Sequence, residues 1–208
     1  MTDDYDLGYA GLHRLYQFLF ILFFRIRAWN AERVPERGGV ILAANHQSFL
    51  DPPAAGMPLK RQMYFLARSS LFQGPLLTAW FRAQHVIPIA RGTSDLAAVR
   101  TTVDVLRKGH GLVMFPEGTR SEDGLVKPFQ PGFAVIAARA GVPIVPVAID
   151  GSFRAWPRRQ KLPAWGRIHV AYGELVPPPA TGKDAALATT AEVRRRVLAL
   201  LERLRNTE

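Results

Sequence analysis

Between residues 39 and 149, short apolar runs alternate with segments of helical pattern, and no other feature constrains the fold as tightly. The runs are Gly39–Ala44, Gln62–Ala67, His85–Gly92, Gly111–Phe115 and Pro143–Ile149. Each is short, rich in aliphatic or β-branched residues and bounded by turn residues, the pattern of buried strands. Between them, Gly74–Arg82 reads as a helix with Leu76, Leu77, Trp80 and Phe81 available for burial. Thr93-Ser94-Asp95 opens a second helix that runs to Lys108, with Leu96, Val99, Val103 and Leu106 on one face. Gly132–Ala140 is a small-residue helix closed by Gly141. Beyond the alternating core lie a strand over Arg167–Ala171 and a last helix over Asp184–Arg205, with Val193, Val197, Leu200, Leu201 and Leu204 on one stripe. Such alternation predicts an α/β fold with a mostly parallel central sheet flanked by helices. Pro146 is expected to push its strand to an edge or into a bulge, because it lacks the N–H a central strand needs.

The 208 residues suffice for one domain, and with 48% hydrophobic and 21% charged residues the chain should fold around a core. There are no cysteines, which excludes disulfides, thiolate metal sites and a cysteine nucleophile. The net charge of +10 points to polyanionic partners: phosphorylated metabolites, anionic lipid headgroups or nucleic acid. No interleaved aromatic and basic pattern marks a nucleic-acid surface, so nucleic acid is not expected. Asp3, Asp4 and Asp6 stand where a signal peptide would be basic, so no cleavable signal is expected. Leu15–Phe24 is a dense apolar block flanked by Arg14, Arg25 and Arg27, within a first helical element over residues 8 to 29. As a helix the block is about 15 Å long, against a hydrocarbon core of about 30 Å, too short to span upright. It is read as an interfacial anchor, a packed core helix being the alternative.

Chemistry concentrates after two of the strands. Asn45-His46-Gln47-Ser48-Phe49-Leu50-Asp51-Pro52-Pro53 puts an imidazole and a carboxylate just past the first. On one continuous helix, residues five apart point to different faces. Pro52 disfavours the α region at Asp51, so a bent connection is expected to return the carboxylate to His46. There it could orient the ring and stabilise its protonated form. Phe115-Pro116-Glu117-Gly118-Thr119-Arg120-Ser121, past the fourth strand, offers a carboxylate, a permissive glycine, two hydroxyls and an arginine. Arg120 can pair bidentately with a phosphate, and Arg91 at another strand end supplies a second positive charge. Read by themselves, the first segment is equally a capped polar loop and the second equally a charged turn. The chain lacks a Gly-x-Ser-x-Gly elbow, a Walker loop, a His-Glu-x-x-His pair and a dinucleotide Gly-x-Gly-x-x-Gly turn. A His–Asp pair without a nucleophile suits general-base attack by a substrate's own hydroxyl on an activated electrophile such as a thioester.

Four blocks in order resemble the glycerolipid acyltransferases, the family typified by 1-acylglycerol-3-phosphate acyltransferase. They are Asn45-His46-Gln47-Ser48 with Asp51, Ile87-Pro88-Ile89-Ala90-Arg91, Phe115 to Ser121, and Val142 to Val147. Lys127 to Gly132 also looks like the segment that follows the third block, and the resemblance covers about residues 35 to 150. It implies transfer of a fatty acyl group from acyl-CoA or acyl carrier protein, as co-substrate, to a lysophospholipid hydroxyl, most simply 1-acylglycerol-3-phosphate. No metal or other cofactor is implied. His46 would be the base and Asp51 its partner; Arg91, Glu117, Gly118, Thr119 and Arg120 would hold the acceptor. Residues 1–34 would be a membrane-associating segment and 35–208 the catalytic domain, attached peripherally or monotopically to the cytoplasmic face of an anionic membrane. Ala90 stands where many members carry an acidic or polar residue, so different headgroup contacts are expected. The alternatives are another lysolipid acceptor, or a non-catalytic basic membrane-binding module.

Overall fold

The computed structural model describes residues 18–89 and 96–206. Its strands are β1 (Arg27–Trp29), β2 (Val40–Ala44), β3 (Met63–Arg68), β4 (Val86–Ile89), β5 (Gly111–Met114), β6 (Ile144–Asp150) and β7 (His169–Tyr172). They form one sheet in the order β1-β7-β6-β2-β5-β3-β4. β6, β2, β5, β3 and β4 are mutually parallel; β7 is antiparallel to β6, and β1 is parallel to β7. The expected mostly parallel α/β sheet is what the chain forms. Every residue of β2 and β6 is buried, which is why these runs are continuously apolar instead of alternating.

Helices cover both faces. On one, Leu96–Arg107, Gly132–Ala140 and Lys183–Arg205 enclose a core that includes Ile41, Leu112, Phe133, Ile144, Val193 and Val197. The helix stripe of Val193, Val197, Leu200, Leu201 and Leu204 is buried as expected, whereas Leu96 is 60% exposed. On the other face, Leu42, Val113, Val145 and Tyr172 pack with Ala54 and Ala55 of the short helix Asp51–Gly56 and with Phe24. The β2–β3 and β3–β4 connections move one way across the sheet, and the β4–β5 and β5–β6 connections move the other. Right-handed crossovers therefore put the first pair of helices on one face and the second pair on the other. Adjacent β2 and β5 thus send their chains to opposite faces, and a crevice opens between their carboxyl ends.

Three expectations need correction. The element over residues 8 to 29 is not one helix. Residues 18–23 are helical, Arg25 has φ 43°, and Arg27–Trp29 leaves to pair with β7. Residues 8 to 17 lie outside the described part. The expected N-terminal segment, residues 1–34, thus contributes an edge strand to the sheet. The second concerns Pro146, where the expected edge position is corrected and the expected bulge is met: the residue lies inside the sheet, between β2 and the stretch following β7. Val147 pairs with Tyr172, yet Ile144 bridges to Val176 where unbroken register would bring residue 175. The neighbouring stretch carries one extra residue, a bulge that absorbs the missing donor, while Gly173 N–H still bonds the Pro146 carbonyl at 2.8 Å. The third is at Asp51: Leu50 is αR and a helix begins at Asp51 itself. Pro52 and Pro53 fit because first-turn N–H groups have no intrahelical acceptor to lose.

Candidate active site

β2 and β5 lie side by side, so the residues past their carboxyl ends meet in the crevice. Asn45 continues β2 by proxy: its side-chain Nδ2 donates to the Ile149 carbonyl and its Oδ1 accepts the Ile149 N–H, both at 2.8 Å. With Asn45 pinned to β6, the chain turns at His46.

The expected pairing of His46 and Asp51 is present, with Nδ1 to Oδ2 at 2.8 Å. That same Oδ2 accepts the backbone N–H groups of Gln47 at 2.6 Å and Ser48 at 2.7 Å. The turn is closed by Ser48, whose hydroxyl accepts the Leu50 N–H at 3.2 Å and donates to the Trp156 carbonyl at 2.8 Å. Asp51 is fully buried, while the His46 side chain is 18% exposed. The Phe115 ring stacks on the imidazole with centroids 4.1 Å apart. With Nδ1 donating to Asp51, Nε2 carries the lone pair, the tautomer a general base requires.

Both oxygens of the Glu117 carboxylate are engaged by main-chain N–H groups. Oε1 accepts the His46 backbone N–H at 2.8 Å and Oε2 the Lys127 N–H at 3.0 Å. The residue is 6% exposed, and burial pushes its carboxyl above the ordinary glutamate range, against the opposing pull of the Lys127 and His46 N–H donors. The His46 carbonyl in turn accepts the Ser121 N–H at 2.7 Å. Two segments 71 residues apart are therefore laced together by main-chain groups and one carboxylate. Gly118 adopts φ 70°, a conformation that suits glycine, and gives its N–H to the Phe115 carbonyl at 3.0 Å. Thr119 is partly exposed beside it.

The Arg120 guanidinium sits over the Phe49 ring, its Cζ 3.4 Å from the centroid. Its Nη1 is buried without a hydrogen-bond partner in the protein. Burial, and then the nearby positive charges of Arg158 and Arg68, lower its pKa. This concentration of cations at a strand end suits an anionic group. Arg91 lies outside the described residues. Arg68 closes β3 as Arg91 follows β4, so the strand-end rule applied to Arg91 also points to it. Arg158 belongs to the basic loop of Arg154, Arg158, Arg159 and Lys161, legible in the sequence as a run of cations for anionic lipid or the phosphates of CoA, with a solvated basic surface as the equal alternative. Among the described residues no group of three or more His, Cys, Asp or Glu is placed to hold a metal ion.

The family model described as Acyltransferase matches residues 25–150, more than half of the chain. The chain belongs to the acyltransferase family. Its structure is similar to that of the 1-acyl-sn-glycerophosphate (LPA) acyltransferase PlsC from Thermotoga maritima, with TM-score 0.77, 25% identity, and coverage of 95% of this chain and 89% of that one. A chloroplastic 1-acyl-sn-glycerol-3-phosphate acyltransferase of Brassica napus is 33% identical over 56% of this chain and 34% of its own length. The 1-acyl-sn-glycerol-3-phosphate acyltransferase of Bacillus subtilis is 27% identical over 61% of this chain and 63% of its own. The chain thus spans about a third to two thirds of the length of these curated relatives. The family match begins at residue 25 and so includes β1.

Proposed function

We propose that the protein transfers a fatty acyl group from an acyl thioester, acyl-CoA or acyl carrier protein, to the free hydroxyl of 1-acylglycerol-3-phosphate, giving phosphatidic acid. The observation that carries this reading is the buried Asp51 carboxylate holding His46 in the base tautomer within reach of an arginine with an unpaired, buried N–H. Relatives named for this reaction, and the PlsC-like fold, support the same substrates.

In the proposed reaction Nε2 of His46 takes the proton of the acceptor hydroxyl as its oxygen attacks the thioester carbonyl. The tetrahedral intermediate collapses, the C–S bond breaks, and the leaving thiolate takes the proton back from the imidazolium. Asp51 holds the ring and offsets its transient positive charge. No covalent enzyme intermediate is required. Arg120, backed by Phe49 and flanked by Arg68 and Arg158, receives the acceptor phosphate, with Thr119 and Arg91 contributing to the same site. Glu117 acts as a positioning residue, because its two oxygens are already committed to main-chain N–H groups. Attachment is peripheral, at the cytoplasmic face of an anionic membrane. In support, Phe20, Phe23 and Phe24 pack inward while Phe18, Leu19 and Leu22 are 62%, 53% and 60% exposed. No described helix is long and apolar enough to cross a membrane.

The test is release of free thiol, and appearance of phosphatidic acid, when purified protein meets lysophosphatidic acid and acyl-CoA. His46→Ala should lower turnover by roughly 10²- to 10⁴-fold with an unchanged circular dichroism spectrum. Near-normal turnover in that variant would remove His46 from its role.

A further inference from the structure

The helix Pro75–Ala83 is apolar, yet none of its residues is buried. On one side Phe81, half-buried, contacts the Phe72 ring that precedes the helix. Its outer side carries Leu76, 88% exposed, with Leu77 at 42% and Trp80 at 50%; Leu71, just before it, is 41% exposed. Three of the four side chains that the sequence offered for burial, Leu76, Leu77 and Trp80, thus form an exposed apolar strip. The helix follows β3, whose last residue, Arg68, stands beside Arg120 at the crevice. Right-handed connection places it on the same face of the sheet as Asp51–Gly56. Residues 18–24 pack on that face too, so the outward apolar residues Phe18, Leu19 and Leu22 lie on the same side of the molecule.

The charge around the strip selects its occupant. From residue 62 to residue 94, the stretch that holds the helix, there is no Asp or Glu, whereas Arg68, Arg82 and Arg91 are all present. Arg82 is exposed on the helix itself. Leucines and a tryptophan on one short helix, in a stretch whose charges are all positive, fit an anionic bilayer: the rings and aliphatic groups enter the interface while the cations meet headgroups. A second copy is disfavoured, since each copy carries a net charge of +10 and the same basic stretch.

We propose that Pro75–Ala83 is a membrane-docking helix, separate from the N-terminal apolar segment, that seats the crevice mouth on an anionic lipid surface. This rests on the reading that the acceptor is a lipid. It adds that the rim of the mouth, as well as the N-terminal segment, touches the bilayer.

The absence of cysteine makes a direct test possible. Leu76→Cys, labelled with an environment-sensitive fluorophore on the full chain, is mixed with vesicles of phosphatidylglycerol and phosphatidylcholine in equal parts. Leu187→Cys, exposed on the far-face helix, is the control. The label at residue 76 should shift to the blue and be quenched by spin-labelled lipid, and the label at residue 187 should do neither. Leu76→Asp with Leu77→Asp should weaken vesicle binding by roughly a hundredfold, on the order of tenfold per leucine. The same variant should keep its turnover on a short-chain lysophosphatidate below its micelle concentration and lose it on acceptor embedded in vesicles.

A residue 76 label that is silent while the protein binds vesicles overturns the proposal. So does a label already shielded from iodide without vesicles: if shielding holds at high dilution the chain covers its own helix, and if it grows with protein concentration a second copy does. If the label enters the bilayer but no form of lysophosphatidate is acylated, the functional reading falls and the docking helix stands.

Discussion

Oδ2 of Asp51 accepts three hydrogen bonds, from the His46 ring and from the N–H groups of Gln47 and Ser48, within a site where the carboxylate is fully buried. The residue therefore shapes the turn as well as orienting the His46 ring. Asp51→Asn should cost turnover, as loss of the ring's orienting acceptor does, by roughly 10²- to 10⁴-fold. It should also destabilise the fold by about 1–3 kcal/mol, because two buried N–H groups lose a charged acceptor; urea denaturation beside steady-state kinetics measures both. Glu117 has a different signature. Its carboxyl is raised by burial, so the folded state holds that proton more tightly than the unfolded chain does. The resulting stability is fully present below the unfolded glutamate pKa and is lost as pH rises through the raised value. Glu117→Gln removes this dependence. The stability gap between parent and variant should narrow from about pH 4 to about pH 7 in denaturation measurements. A gap that widens would mean the two N–H donors outweigh burial. As a positioning residue, Glu117→Gln should lower kcat more than it raises the KM for the acceptor.

At the scale of elements, the sheet has a working end and a fastened end. Arg61, just before β3, donates to the carbonyls of Pro35 at 2.6 Å, Gly38 at 2.9 Å and Gly109 at 2.8 Å. One guanidinium thus ties together the entrances to β2, β3 and β5, at the end opposite His46. Arg61→Leu strands three carbonyls and should lower stability by about 3 kcal/mol. Its turnover at a temperature where it remains folded should match the parent, since it lies away from the crevice; thermal denaturation and initial rates check the two halves. The elements also show where local pattern suffices. The strands β2, β3 and β5 fall within a residue or two of their apolar runs, and Gly132–Ala140 falls where its capping glycine ends it. The sequence missed β1, since three residues, Arg27–Trp29, are strand only because β7 lies beside them. It also extended a helix through Arg25, where the chain instead takes a positive φ to reach that partner.

For the whole molecule, charge and apolar surface act together. The net charge of +10 should make vesicle binding fall steeply with salt, while turnover on a monomeric short-chain acceptor falls less. Sedimentation with anionic vesicles at rising salt, paired with that assay, separates the two dependences; equal losses would mean that charge serves the acceptor phosphate and not the surface.

The sequence by itself determined the α/β class, the helix stripes and the identity of the candidate site groups, because these depend on periodicity and on side-chain chemistry within short windows. It also implied a turn bringing Asp51 back to His46, five residues away. Only the tertiary structure decided that β2 and β5 are neighbours, and hence that Glu117 binds the backbone at His46. The same adjacency opens the crevice, since strand order reverses there. Strand order arises from burial on both faces of the sheet summed over the whole chain, which no local window contains. The uncovered strip on Pro75–Ala83 is of the same kind: its apolar pattern is legible in the chain, but whether that face meets the core or the outside depends on what the fold places against it.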